Sequence, residues 1–329
     1  MERVIGRQRA IVAAACVLVC GFGIGAIVPT LAAQSPASAQ SNGWAHVDCG
    51  QEAAGALQRA IDRARSGDTI HVSGTCDENL SIAEGKNRIT LNGGGHATNH
   101  GPDQAVSSIS VRGMGVTITG LTISGGRDAI DVGRNGTAVV DGNTLTGSRR
   151  FGILVHGSGA ATIVNNTIEN NPSNGINVTT GAFAFVGVRS GEDVVASPNI
   201  VRFNGGHGVT VAFSASARIV GNTIGNNTRN GINVERASYA NAASNSIDAN
   251  GQNGIFVTEN SAVNLGSDTG TGIYDAPNQT VANNALRGIA CRVGGAANGR
   301  LGTLNGNGGA TDFGGSCVNS LDKSDTVEP

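Results

Sequence analysis

Arg127, Asp128 and Asp131 are followed one repeat later by Arg149, Arg150 and His156. These residue types suit one kind of chemistry. Arginines hold the carboxylate of an acidic ligand, and a His or Arg beside carboxylates can abstract a proton. Arg127 and Arg150 stand 23 residues apart, so a repeat of that length stacks two like charges that an acidic ligand would relieve. The competing reading is a self-neutralising surface in which Asp128 and Asp131 pair with the arginines. In the first reading Arg150, His156 and Asp131 are the catalytic candidates, for proton abstraction from a uronate by a lyase or epimerase.

Other groups are sparser. The triplet Gly206, His207, Gly208 opens a strand, and Glu192 and Asp193 lie in an irregular stretch that could fold over the same face. Glu235, Arg236 and Glu259 read as an exposed ion-pair set, with Arg236 and Glu259 one repeat apart. Asn177, Asn233, His207 and Glu235 are the candidate substrate contacts. No metal site is expected, because the chain has no CxxC and no HxxxH spacing. No cofactor is expected either: calcium would want three or more clustered carboxylates, and only Asp128 and Asp131 come near.

What positions these residues is an internal repeat. A Gly-aliphatic-x-aliphatic strand opens at Gly152, Gly175, Gly208, Gly231, Gly254 and Gly288, preceded by a variant at Ala129, in steps of 23, 23, 33, 23, 23 and 34 residues. A second marker keeps step at Asn143, Asn166, Asn199, Asn222, Asn245 and Asn284. Each copy alternates apolar and polar residues with period two, which is strand geometry. A unit this short cannot hold paired helices; three short strands and three turns make one coil. The Leu-rich consensus of leucine-rich repeats is missing, and a propeller blade would be about twice as long. The expected fold is therefore all-β, a single-domain right-handed parallel β-helix. Asn tolerates left-handed turns, and stacked Asn amides can hydrogen-bond along the axis. The register sets Asp131, Leu154, Asn177, Thr210, Asn233, Phe256 and Ala290 in one outward column, an amide-rich face able to bind a sugar chain.

An open β-helix end needs a cap. Residues 52–65 form an amphipathic helix candidate with Leu57 and Ile61 on one face, and the first strand is expected at Thr69. Residues 40–317 form the β-helix domain and 318–329 a disordered acidic tail. Residues 1–39 read as a signal peptide or membrane anchor: Arg3, Arg7 and Arg9 precede an apolar stretch, then Ala37, Ser38 and Ala39 suit cleavage. Either version puts the rest outside the cytoplasm, with membrane contact only through an uncleaved segment. Beyond that segment lie Cys49, Cys76, Cys291 and Cys317. Of three possible connectivities, their places at the chain ends suggest Cys49–Cys76 and Cys291–Cys317.

Composition supports this reading and excludes others. Glycine accounts for 51 of 329 residues without a collagen period, charged residues for 14% and aromatics for 3%, as expected of short strands joined by tight turns. A formal charge of −2 gives no field for nucleic acid, and few aromatics are present to stack bases.

The entry Ala56, Leu57, Gln58 with Gly67 to Ile70, the later Gly74, Thr75, Cys76, Glu78, Asn79 and Leu80, and the 23-residue coils together resemble the pectin-lyase-like superfamily over about residues 49–317. The stretch from Val263 to Gly266, Pro277 to Thr280 and Arg300 to Thr303 is similar to the end of exported bacterial β-helix proteins. Members of the wider superfamily cleave, epimerise or bind polysaccharides, and some are phage or adhesin parts. Fold resemblance does not choose among these roles; the amide-rich outward columns and the export signal point to a polysaccharide or cell-surface glycan as partner, with a non-catalytic surface module as the alternative. The triplet at His207 is similar to the Gly-His-Gly element of polygalacturonases, but Asn174, Asn177, Asn230 and Asn233 stand where those enzymes need carboxylates. A lyase or epimerase is therefore favoured over a glycoside hydrolase.

Overall fold

A computed structural model describes residues 43–266, 272–300 and 302–322. The leader expected at 1–39 lies outside them. The described chain is a right-handed parallel β-helix of about twelve turns with one short helix. Among the described residues no helix is long and apolar enough to cross a membrane.

Each coil is triangular. One side is a ten-stranded parallel sheet running from Leu80–Ile82 to Thr311–Phe313. The other two sides are runs within a nineteen-stranded sheet, joined where the long strands Thr90–Gly101 and Val116–Gly125 bend from one side to the next. The period-two pattern sends one row of side chains inward. Ile130, Ile153, Ile176, Val209, Ile232, Ile255 and Ile289 stack in register and are fully buried. Burying such a side chain contributes roughly 1.5–3 kcal/mol, so stacking alone builds the core. The repeated glycine has a steric cause. A Cβ at Gly152 would stand 2.5 Å from an Ile168 methyl, and Gly208, Gly231 and Gly254 face the equivalent aliphatic in the same way.

The asparagines form two ladders. Asn143, Asn166, Asn199, Asn222, Asn245 and Asn278 pass side-chain amide bonds of 2.9–3.1 Å along the axis. Asn171, Asn204, Asn227, Asn250, Asn284 and Asn307 do the same at 3.0 Å. Asn284 thus leaves the column in which the repeat set it. The strand facing Ser246–Asp248 is Thr280–Ala282, so Asn278 takes the vacated step. The ladder asparagines do not themselves turn left-handed; the residue before them does, as at Gly142, Asn165 (φ 57°), Gly221 and Ser244.

The N-terminal cap is built differently from expectation. A strand Trp44–Asp48 precedes the helix and pairs with Thr69–Ser73, which is therefore the second strand of its side. The helix is shorter, Ala56–Arg63, and its ends are finished by residues of the next coil. The Glu78 carboxylate accepts the Leu57 and Gln58 amides at 3.2 and 2.9 Å, the position where an anion satisfies open N–H groups. The Lys86 ammonium donates to the Asp62 and Ala64 carbonyls. Leu57 and Ile61 close the core as expected.

Both suggested disulfides form, Cys49–Cys76 and Cys291–Cys317, as suits an oxidising compartment outside the cytoplasm. Residues 318–321, expected in the tail, instead form a strand Val318–Leu321 paired with Ala296–Gly299; the expected tail from residue 323 on lies outside the described residues.

Candidate functional site

The outward face of the ten-stranded sheet carries the column expected from the repeat, with Asp131, Leu154, Asn177, Thr210, Asn233, Phe256 and Ala290 in consecutive register. Outward does not mean open. Asp131 is 1% exposed, Asn177 9% and Asn233 2%, because side chains of flanking columns close over them. Asn174 donates to Asn177 at 3.0 Å and Asn230 to Asn233 at 3.3 Å, so these amides satisfy one another in pairs. The Thr210 hydroxyl between those pairs is buried and has no hydrogen-bond partner.

The early coils assemble the densest charge cluster on this face. Asp128 is fully buried and receives Arg150 through two bonds, Nε at 2.9 Å and Nη2 at 2.8 Å. Arg127 Nε reaches the same carboxylate at 3.1 Å. The two stacked arginines are therefore held by one shared aspartate. Asp131 is gripped by Arg112, at 3.2 and 2.9 Å, and approached by Arg127 at 3.6 Å. His156 Nε2 lies 2.9 Å from Asp131 Oδ1, off the direction of an aligned hydrogen bond. Arg150 also stacks on the Phe151 ring, 4.4 Å from its centroid.

Two buried carboxylates thus face three guanidiniums and an imidazole. One positive charge is in surplus before His156 is counted. The side chains of Arg127, Arg150 and His156 remain between 31% and 41% exposed, so that surplus faces solvent. Structure brings Arg150, His156 and Asp131 into one cluster, but Arg150 is bound to Asp128 and only His156 touches Asp131. Arg149 turns away toward the Gln104 carbonyl. Arg112 was missed by spacing; it stands on the strand before Asp131, in the column that carries Gly133 and His156 on later coils.

His207 serves a third ladder. Its amide donates to Asn174 Oδ1 at 3.0 Å, and its Nδ1 accepts the Asn230 amide at 3.2 Å. Burial, and then the charge of Arg229, push its pKa down from 6.5 to about 4. A neutral ring is what an Nδ1 acceptor requires.

The irregular stretch does not cover this face. It leaves the chain after Phe183–Val186, at the corner between the two runs of the larger sheet, on the side opposite the ten strands. Arg189 pairs there with Asp141 at 2.7 Å, and Tyr274 donates to the Ser190 carbonyl. Asp193 accepts the Arg189 amide and the Ser190 hydroxyl, and these bonds lower its pKa. Glu192 and Asp193 accordingly cannot join His207. Glu235 lies beside the outward column, 3.9 Å from Arg236, which also pairs with Glu259 at 3.4 Å.

The family model described as "Periplasmic copper-binding protein (NosD)" matches residues 58–288. No curated protein sequence matches the chain. Among solved structures, a double mutant of the periplasmic alginate epimerase AlgG aligns at 14% identity and TM-score 0.51, covering 86% of this chain and 83% of the other. An alginate lyase from Paenibacillus sp. aligns at 17% identity and TM-score 0.48, covering 84% and 100%. The catalytic unit of a GH87 alpha-1,3-glucanase from Streptomyces thermodiastaticus aligns at 14% identity and TM-score 0.38, covering 88% and 69%. The likeness to the AlgG structure, at 14% identity, is one of fold alone.

Proposed function

We propose that this chain, which belongs to the periplasmic copper-binding protein (NosD) family, works outside the cytoplasm by binding an acidic polysaccharide along the outward face of its ten-stranded sheet. The observation that carries this reading is the surplus of positive charge around Asp128 and Asp131. Arg127 and Arg150 present guanidinium edges that a sugar carboxylate can bridge, and the buried aspartates hold those edges in place. Neutralising a uronate carboxylate acidifies the C–H bond beside it. In this reading His156, its Nε2 beside Asp131, takes that proton, the step shared by lyases and epimerases.

The family's name raises copper, and the residues do not fit that ion. Copper sites draw on thiolates, thioethers and clustered imidazoles. The four described cysteines are in disulfides, and Met114 is the single methionine among the described residues. Among those residues no three His, Cys, Asp or Glu side chains come together for a metal. His46 and His71 pair in register without a third donor. No step is assigned to a metal.

A binding role without catalysis is the second reading. It is favoured by one observation: Arg150 commits its Nε and Nη2 to Asp128, as in a self-neutralised surface. The test is incubation of the full chain with acidic and neutral polysaccharides, following unsaturated-uronate absorbance, reducing ends and sugar-proton NMR together. Absorbance on a uronan means a lyase, and altered C5 configuration without cleavage means an epimerase. Binding without either supports the second reading, and no binding to any uronan defeats both.

A further inference from the structure

The outward face carries the same charge device twice, on its third strand near one end and on its last strand at the other. Arg112 Nη1 donates to the Val111 carbonyl at 2.9 Å and to the Asp131 carbonyl at 3.3 Å, while Nη2 meets the Asp131 carboxylate at 2.9 Å. At the far end Arg292 repeats these three bonds, without the further Nη1 bond of Arg112 to Asp131 Oδ1. Its Nη1 donates to the Cys291 carbonyl at 2.8 Å and the Asp312 carbonyl at 3.2 Å, and its Nη2 to the Asp312 carboxylate at 2.6 Å. Each aspartate also has a second arginine, Arg127 at 3.6 Å from Asp131 and Arg287 at 3.9 Å from Asp312.

Asp131 and Asp312 stand in one column, separated by Leu154, Asn177, Thr210, Asn233, Phe256 and Ala290. That stretch of the column holds no charge. At the far end the surface is hollowed into a groove of about 360 Å³, with Phe256, Leu286, Arg287, Arg292 and Asp312 on its walls. Its arginine and aspartate side chains are 38–42% exposed, so their ion pairs add little to stability and the fold does not require them.

We infer that this groove is a second anion subsite, and that the face selects acidic saccharides long enough to occupy both ends at once. The inference rests on the reading of the Asp128–Asp131 cluster given above. Two guanidiniums against one carboxylate leave a positive charge for a sugar carboxylate, and Phe256 offers a ring face to the sugar. At about 4.8 Å per coil the seven steps cover about 34 Å. A pyranose unit is about as long as a coil is thick, roughly 5 Å, so about eight units, the first and last seven repeats apart, reach from one end to the other. Once one end is seated the other binds within the same complex, and affinity rises without any new kind of contact.

The experiment is calorimetric titration of the full chain with size-defined uronate oligomers of about three to twelve units. The expected result is at least a tenfold gain in affinity once the oligomer reaches about eight units. In the Arg287→Ala, Arg292→Ala double variant the gain disappears, and long oligomers bind like short ones. Arg292→Lys, which keeps the charge but not the two-carbonyl grip, recovers part of it. A smooth length dependence in the wild type, or a step that survives the double variant, overturns the inference while leaving the first cluster standing. Absence of binding at every length overturns both.

Discussion

His156 reaches back across one coil to set Nε2 2.9 Å from Asp131 Oδ1, and it can do so because the residue beneath it is Gly133. A Cβ at Gly133 would collide with the imidazole ring and with no other group as closely. The glycine is therefore a space for the histidine rather than a turn.

From this follows the first prediction. Gly133→Ala should displace the imidazole from Asp131 and reduce uronate turnover or binding as strongly as His156→Ala does, with the unfolding midpoint little changed. Chemical denaturation run beside the activity panel separates the two effects. Full activity in Gly133→Ala would remove His156 from the site.

Asp128 is a buried carboxylate held by two arginines, so taking away its charge should be costly. Asp128→Asn is expected to destabilise the chain by about 1.5–3 kcal/mol, since it weakens the charge-assisted bonds that Arg127 and Arg150 make to a buried carboxylate. Asp141→Asn breaks the exposed pair with Arg189 and should cost under about 1 kcal/mol. Urea titrations of the two variants make the comparison, and equal costs would show that the cluster is solvated like any surface pair.

His207 gives a pH signature. Its pKa in the fold is about 4, below the 6.5 of the unfolded chain, so the unfolded state takes up the proton first as pH falls. The contribution is complete above pH 6.5 and is lost progressively down to about pH 4, by about 3 kcal/mol in total. His207→Asn keeps an acceptor between Asn174 and Asn230 and should flatten this part of the stability profile. An unchanged slope in that variant would mean the imidazole titrates normally.

The ladders predict a contrast between two neighbouring asparagines. Asn199 accepts the Asn166 amide and side chain and donates to Ile163 and Asn222, all buried. Asn199→Ala should cost about 2–4 kcal/mol, because it leaves buried partners unmatched. Asn165→Gly, at an exposed left-handed turn, should be near neutral. Thermal unfolding of the pair reads the difference directly.

The amino-acid sequence by itself determined the coil, its 23-residue period and the inward aliphatic stacks. It could do so because each coil repeats one steric problem: a strand with one buried face, a glycine where the next coil passes closely, and an asparagine whose buried amide bridges to the next coil. Such local requirements recur at fixed spacing and can be read one copy at a time. Tertiary structure decided whatever depends on side chains lying across coils. Asn177 and Asn233 were legible as outward but not as covered, since flanking columns close over them. Arg112 was invisible as a partner of Asp131, because the link spans two coils in a column that otherwise carries Gly133 and His156. The ten extra residues near Arg189 could be counted, but the side of the triangle they would cover could not, because an insertion at a corner has no periodicity to orient it. Asn284 changed ladders for the same reason: the insertion before it broke the count by which its register was assigned. Period is written in the chain; the meeting of side chains from different coils is set only when the coils stack.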